Sequence, residues 1–267
     1  MTKSNLNVVL ITGASGGIGL ATAKLFSERN WIVVGTVRGL KSKSSSVPKI
    51  HLLEAEMTKP QDLERTVEQV MALYGRLDAL VCNAGYALLG PVDSFDSAQI
   101  RDQYLTNTVA PADLSRLVIP IMKNQNNGAI VFVSSIVGRI GLAGFGIYAS
   151  SKWALEGLAE SLALELDEYN IRVRLIEPSG VNTTFWTSLK RGEGRAWQNG
   201  EIGRVAHEPE KLHHGISPEA VAEAVFISVT NKSRQLRYPL GQTKMTVIAK
   251  RFLSDRLFHY AMRRMMR

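Results

Sequence analysis

Short apolar runs rich in β-branched residues alternate with segments of helical periodicity from the first residues onward, and this alternation limits the chain more than any other feature. Leu6–Ile11 reads as a buried strand, and Ile18–Arg29 as a helix with Ile18, Ala21, Leu25 and Phe26 on one face. Trp31–Val37 and Ile50–Ala55 are the next strands. Pro60 sits in the first turn of a helix carrying Leu63, Val67, Val70 and Met71. Leu77–Cys82 and Ala129–Ser134 are further strands, separated by a helical region from Ser97 to Met122. Tyr148–Tyr169 is helical, and Ile171–Ile176 returns as a strand. Near-continuous apolar strands separated by helices mean a parallel sheet covered on both faces. Right-handed crossovers then give a doubly wound, Rossmann-like α/β fold. No composition break or internal repeat interrupts 1–267, so a single domain is expected.

Composition narrows the remaining classes. Hydrophobic residues make up 45% and charged residues 21% of the 267, as in an ordinary globular chain. A single cysteine, Cys82, excludes an intramolecular disulfide and agrees with a reducing compartment. No Cys/His pattern of metal-ligand spacing is present, so no metal is expected. The apolar stretch Leu6–Ile11 is too short to span a bilayer and lacks a signal-peptide pattern, which points to a cytoplasmic protein. The formal charge of +8 owes much to Lys250, Arg251, Arg256, Arg263, Arg264 and Arg267. Without a nucleic-acid-binding motif, a solvated basic surface accounts for it, and no nucleic-acid partner is expected.

Three local patterns carry chemistry. Thr12-Gly13-Ala14-Ser15-Gly16-Gly17-Ile18-Gly19 joins the first strand to the first helix. Glycines there permit a tight turn and close approach of a pyrophosphate, and the helix N-terminus offers unpaired N–H groups. The second strand ends Val37-Arg38, where an acidic residue would bond the ribose 2′-hydroxyl of NAD. A guanidinium instead suits a 2′-phosphate, so NADP(H) is the expected cofactor. Tyr148 and Lys152, four apart on a helix, share one face. A phenol can exchange a proton with a carbonyl oxygen, and a nearby ammonium is expected to lower its pKa.

Taken together, these motifs resemble the short-chain dehydrogenase/reductase family, strongly over Val8–Val181 and loosely beyond. The resemblance implies a catalytic tetrad of Asn107, Ser135, Tyr148 and Lys152. Tyr148 is the acid/base, Lys152 tunes it, Ser135 bonds the substrate oxygen, and the Asn107 carbonyl holds a relay water. Ser134 competes with Ser135, but strand alternation lets only one face the site, and the family's spacing to Tyr148 selects Ser135. The resemblance also implies a cofactor cradle of Gly13, Ser15, Gly17, Ile18, Gly19, Arg38, Glu56, Met57, Asn83, Ala84 and Gly85, with Tyr148 and Lys152. Cys82-Asn83-Ala84-Gly85 stands for the family's Asn-Asn-Ala-Gly element. Pro178, Val181 and Thr183 belong to a loop that closes over nicotinamide, with Ser179 where the family has Gly.

A substrate lid is expected over about 182–216, with Phe185, Trp186, Leu189 and Trp197 lining an apolar pocket. Gly35-Thr36-Val37-Arg38 and Arg237-Tyr238-Pro239-Leu240-Gly241 resemble a subgroup acting on steroids, retinoids or long-chain ketones. The expected activity is hydride transfer between NADP(H) and a lipophilic carbonyl or secondary alcohol. A carrier-linked ketoreductase of lipid synthesis and a non-catalytic NADP(H) sensor are the alternatives. A homodimer or homotetramer is implied by the family. An amphipathic helix at about 251–267 is open to three partners: the pocket, a second subunit, or the surface of an anionic membrane.

Overall fold

The computed structural model describes residues 6–39, 50–193 and 215–266. Their core is a parallel sheet built from β1 (Val8–Ile11), β2 (Ile32–Val37), β3 (Ile50–Glu54), β4 (Ala79–Cys82), β6 (Gly128–Val133), β7 (Ile171–Pro178) and β9 (Arg237–Leu240). Their order is β3-β2-β1-β4-β6-β7-β9, and every pairing is parallel. The order reverses between β1 and β4, which makes the carboxyl ends of these two strands the place where a doubly wound sheet opens a crevice.

Strand alternation divides the core into two layers. Val8, Leu10, Leu80, Ile130 and Phe132 face one side. There they meet α2 (Pro60–Tyr74), α4 (Ala110–Gln125) and α5 (Gly146–Glu165), through residues such as Leu63, Leu114, Met122 and Leu155. Val9, Ile11, Val33, Val81 and Val131 face the other side, against α1 (Gly17–Glu28) and α6 (Pro218–Thr230). Phe26 of α1 packs edge-on against Trp31 and Phe226, with ring centroids 5.1 and 5.0 Å away. A strand buried on both faces cannot alternate in polarity, which is why these runs are apolar throughout.

The expected strands and helices are present, with two corrections. The region from Ser97 to Met122 is not one regular helix: α3 (Ser97–Tyr104) passes through a π-turn at Leu105–Val109 into α4. The helix expected over about 251–267 is also divided. Arg251 and Phe252 end α7 (Thr243–Phe252), Leu253 is extended, and α8 spans Asp255–Met266. The Ser254 hydroxyl accepts from the Leu257 amide at 3.4 Å, so a capping residue in mid-segment restarts the helix. A small second sheet pairs β5 (Leu88–Leu89) with β8 (Lys190–Arg191).

Candidate active site

The glycine turn at the end of β1 is clamped from β4. Thr12 Oγ1 accepts from the Asn83 and Ala84 amides at 3.0 and 2.9 Å, and Asn83 Nδ2 donates to the carbonyls of Thr12 and Gly13 at 2.9 and 3.2 Å. Gly13 and Gly17 hold φ of +69° and +51°, a region that disfavours a side chain. A Cβ on Gly19 would press within 2.6 Å of Asn83 Nδ2. Gly16 caps α1 without a side-chain hydrogen bond, so the first amides of that helix remain available to an anion.

From this turn a cavity of about 700 Å³ runs across the carboxyl ends of the strands. Gly13, Ser15, Gly17, Ile18, Arg38, Glu56, Met57, Asn83, Ala84 and Gly85 line it at one end, and Ser135, Tyr148, Lys152, Pro178, Val181 and Thr183 further along. Gly19 and Asn107 stand behind the wall instead of in it. Arg38 is exposed at the mouth, directly after β2. A positive-φ turn, open helix amides and a glycine-lined groove make a cradle with the chemistry to hold a phosphate-bearing ligand.

Asn107 occupies the π-turn and is fully buried. Its Nδ2 donates to the Tyr86 carbonyl at 3.0 Å and to Ser151 Oγ at 3.2 Å, while Oδ1 accepts from the Tyr86 amide at 3.2 Å. The side chain thus fixes the backbone after Gly85 to α5, and only its main chain is left to face the site. Inserted residues of this kind occur often where a helix must re-aim a functional group.

Ser135 caps the short turn after β6, its hydroxyl accepting from the Val137 amide at 3.4 Å, and it lies near enough to Tyr148 to favour the ionised phenol slightly. Ser134 points the other way, toward Gly138 and Glu156, as strand alternation requires. Lys152 is buried, donates to the Val133 carbonyl at 2.8 Å, and lies 5.9 Å from the centre of the Tyr148 ring.

The expectation of a lowered phenol pKa is not met in this arrangement. Burial pushes Tyr148 up to about 12, only partly offset by the nearby Ser135 hydroxyl, and burial draws Lys152 down to about 8. Removal from water outweighs the charge of an ammonium already committed to a carbonyl. The Tyr148 phenol therefore stays protonated across the neutral range. Burial also raises the Cys82 thiol, which keeps it protonated and inert behind the strand end.

The far part of the cavity is apolar. Val137, Phe145, Tyr148, Ala149 and Leu189 form a buried cluster with Leu142, Phe185 and Trp186 packed on it. The Phe185 ring lies 5.9 Å from that of Tyr148, and Trp186 Nε1 donates to the Val181 carbonyl at 2.9 Å. Phe185 and Trp186 were expected here; Trp197 lies outside the described residues. Val181 pairs with Ile216 in an isolated bridge, so the segment expected as a lid leaves and rejoins the fold at one point.

Sequence reasoning missed Tyr86 and Thr246, which line the cavity, while Met262 brings the C-terminal segment to the pocket, one of the three partners open to it. Tyr86 had a signal, an aromatic directly after Asn83-Ala84-Gly85, and Lys190 lies 4.5 Å over its ring. It also left open how the loop after β7 tolerates Ser179. The Ser179 hydroxyl turns outward and accepts from the Gln242 amide at 3.2 Å, against Gly241, whose φ is +63°. Thr183 packs over Gly17, and its hydroxyl accepts from the Phe185 amide at 3.2 Å.

A family model described as short chain dehydrogenase matches residues 7–194. The chain belongs to the short-chain dehydrogenase family. It is 30% identical over 262 residues to a 3-ketodihydrosphingosine reductase of Bacteroides thetaiotaomicron, covering 96% of each chain. It is 34% identical to estradiol 17-beta-dehydrogenase 1 of Rattus norvegicus, over 86% of this chain and 72% of that one. Among solved structures, a short-chain dehydrogenase from Streptomyces avermitilis superposes with a TM-score of 0.83 at 27% identity, covering 92% of each chain. A metagenomic short-chain oxidoreductase in complex with NADP gives 0.71 at 26% identity, over 89% of this chain and 98% of that one. This short-chain dehydrogenase is thus an oxidoreductase of the CH–OH/C=O pair, with a nicotinamide dinucleotide as cofactor. It resembles the hydroxysteroid dehydrogenases among its relatives.

Proposed function

We propose that this short-chain dehydrogenase is an NADP(H)-dependent reductase and reversible dehydrogenase of a lipophilic ketone or secondary alcohol, of the long-chain keto or steroid type. The observation that carries this reading is the pairing of a cationic cofactor mouth with an apolar wall beside one buried phenol. Arg38 follows β2 where an acid would select NAD, and a guanidinium there binds a 2′-phosphate with charge-assisted hydrogen bonds. Ser15 adds a hydroxyl at the same end of the groove.

When bound, the nicotinamide supplies or accepts the hydride at the substrate carbon. Ser135 and Tyr148 converge on the position of the substrate oxygen. Ser135 donates a hydrogen bond to the oxygen as negative charge grows on it, and Tyr148 delivers the proton. Lys152, buried under that phenol and anchored to the Val133 carbonyl, supplies positive charge where phenolate develops. Phe145, Phe185 and Trp186 exclude water from the reacting carbon.

The relatives supply the substrate chemistry by analogy: a 3-keto sphingoid base in one and a steroid 17-alcohol in the other. The test is a screen of long-chain 3-keto amines, steroid ketones and short polar ketones with NADPH. The reading expects turnover of lipophilic ketones, with Tyr148→Phe lowering kcat by about 10²–10⁴-fold or more while cofactor affinity holds. Turnover confined to short polar ketones would overturn the substrate class, and an unimpaired Tyr148→Phe would overturn the acid. We also propose a homodimer or homotetramer that buries the face exposing Val109 and Trp153. Light scattering of a Trp153→Glu variant reads this directly, through loss of mass from the wild-type assembly.

A further inference from the structure

The two C-terminal helices have one side in the molecule and another exposed side without a contact among the described residues. Phe258 is buried, Met262 and Thr246 line the cavity, and Lys250 donates to the Arg139 carbonyl at 2.8 Å while lying 4.4 Å over the Trp153 ring. The other side is apolar and open. Met245, Ile248 and Phe252 recur at i, i+3 and i+7 on α7 and are 77%, 48% and 80% exposed. Leu257 and Tyr260 continue the stripe on α8 at 56% and 64% exposure.

Around this stripe Lys244, Arg251, Arg256, Arg263 and Arg264 are exposed, and none forms an ion pair among the described residues. Asp255 is the one carboxylate on either helix. Apolar side chains flanked by unpaired cations complement a surface that is apolar below and anionic above, which is the boundary between headgroups and acyl chains. A second copy fits less well, because two-fold pairing would set these five cations against themselves.

We infer that α7 and α8 dock this protein on anionic membranes, with Phe252 and Leu257 in the acyl boundary and the arginines at headgroup level. The inner faces of the same helices line the substrate cavity, so docking sets the cavity wall against the bilayer from which an apolar substrate would come.

The experiment is flotation of the full-length protein with vesicles of phosphatidylcholine plus phosphatidylserine, and with phosphatidylcholine alone. Two surface variants are compared, Phe252→Ser with Leu257→Ser, and Arg256→Glu with Arg263→Glu. The proposal expects flotation with the anionic vesicles only, weakened by salt, and reduced about tenfold or more in each variant. Circular dichroism and turnover of a short soluble ketone should match the wild type, since these four residues lie outside the cavity wall. Absence of flotation with either vesicle overturns the proposal. So does equal flotation of the variants, or conversion of a wild-type oligomer to monomer by Phe252→Ser with Leu257→Ser, which would mark the stripe as a subunit contact. Flotation is read without cofactor or turnover, so failure of the lipophilic-substrate reading leaves this result to be judged alone.

Discussion

A phenol pushed to about 12 and an amine drawn to about 8 sit one helical turn apart, both shifted by burial more than by each other. The spacing Tyr-x-x-x-Lys shows that they share a face, but it carries no information on depth, and depth decides their protonation. The cost of this arrangement is measurable. An amine whose pKa falls from 10.5 to about 8 on folding binds fewer protons in the native state than in the unfolded one. Its penalty is therefore complete below pH 8 and fades as pH rises toward 10.5. Lys152→Met removes the penalty, on the order of 3 kcal/mol, and loses the bond to Val133, worth about 1 kcal/mol. The variant should be inactive yet melt higher than the wild type at pH 7, with the gain shrinking by pH 10. Thermal melts at the two pH values check this; a lower midpoint at pH 7 would mean the amine is neutralised at little cost.

At the scale of elements, the cofactor end is held by Thr12 and Asn83 across two adjacent strands. Among the described residues the Ala84 amide has only Thr12 Oγ1 as its partner, whereas the Asn83 amide also reaches the Val81 carbonyl at 3.1 Å. Thr12→Val keeps the shape and leaves one part-buried donor unmatched, a cost of about 1 kcal/mol. The thermal midpoint should fall by about 2–4 °C for each kcal/mol, and cofactor affinity should weaken with it. An unchanged midpoint and affinity would show that the clamp is not needed. The glycine turn and the strand before it were legible because their residue types have few other uses. The π-turn at Asn107 was not, since one extra residue in a helix leaves the surrounding apolar pattern nearly intact. The Ser179–Gly241 contact was equally hidden, because it joins residues on separate segments whose approach only the folded sheet reveals.

Across the whole molecule, sequence reading missed β9, α6, most of α7 and the small β5–β8 sheet. Arg237-Tyr238-Pro239-Leu240 is a short edge strand with a proline and no polar alternation, and α6 is apolar over most of its surface because it packs on both the sheet and its neighbour α1. A Ser217-Pro218 cap was the available signal for the helix. Missing β9 also hid a buried ionic group that ties the site together. Arg237 Nε lies 3.0 Å from Glu156 of α5 and 3.1 Å from Glu177 of β7, and Arg139 reaches Glu177 at 2.9 Å. Burial and the neighbouring Glu177 raise Glu156 to about 7, so the fold favours its neutral form and its ionisation weakens the fold as pH climbs through that value. Arg237→Ala leaves the two carboxylates short of positive charge. It should cost about 3–5 kcal/mol near pH 8 and less near pH 5, where Glu156 takes up a proton. Denaturant melts at both pH values would detect the difference, and an equal loss at each would contradict it.

The central claim is that the groove takes NADP(H) in the orientation that brings nicotinamide to Tyr148, with Arg38 on the 2′-phosphate. Fluorescence titration of the wild type and of Arg38→Asp with NADPH and NADH tests it most directly. The account predicts tighter binding of NADPH than NADH in the wild type, and loss or reversal of that preference in the variant. Equal binding of both by the wild type, or a preference for NADPH that survives in Arg38→Asp, would contradict it.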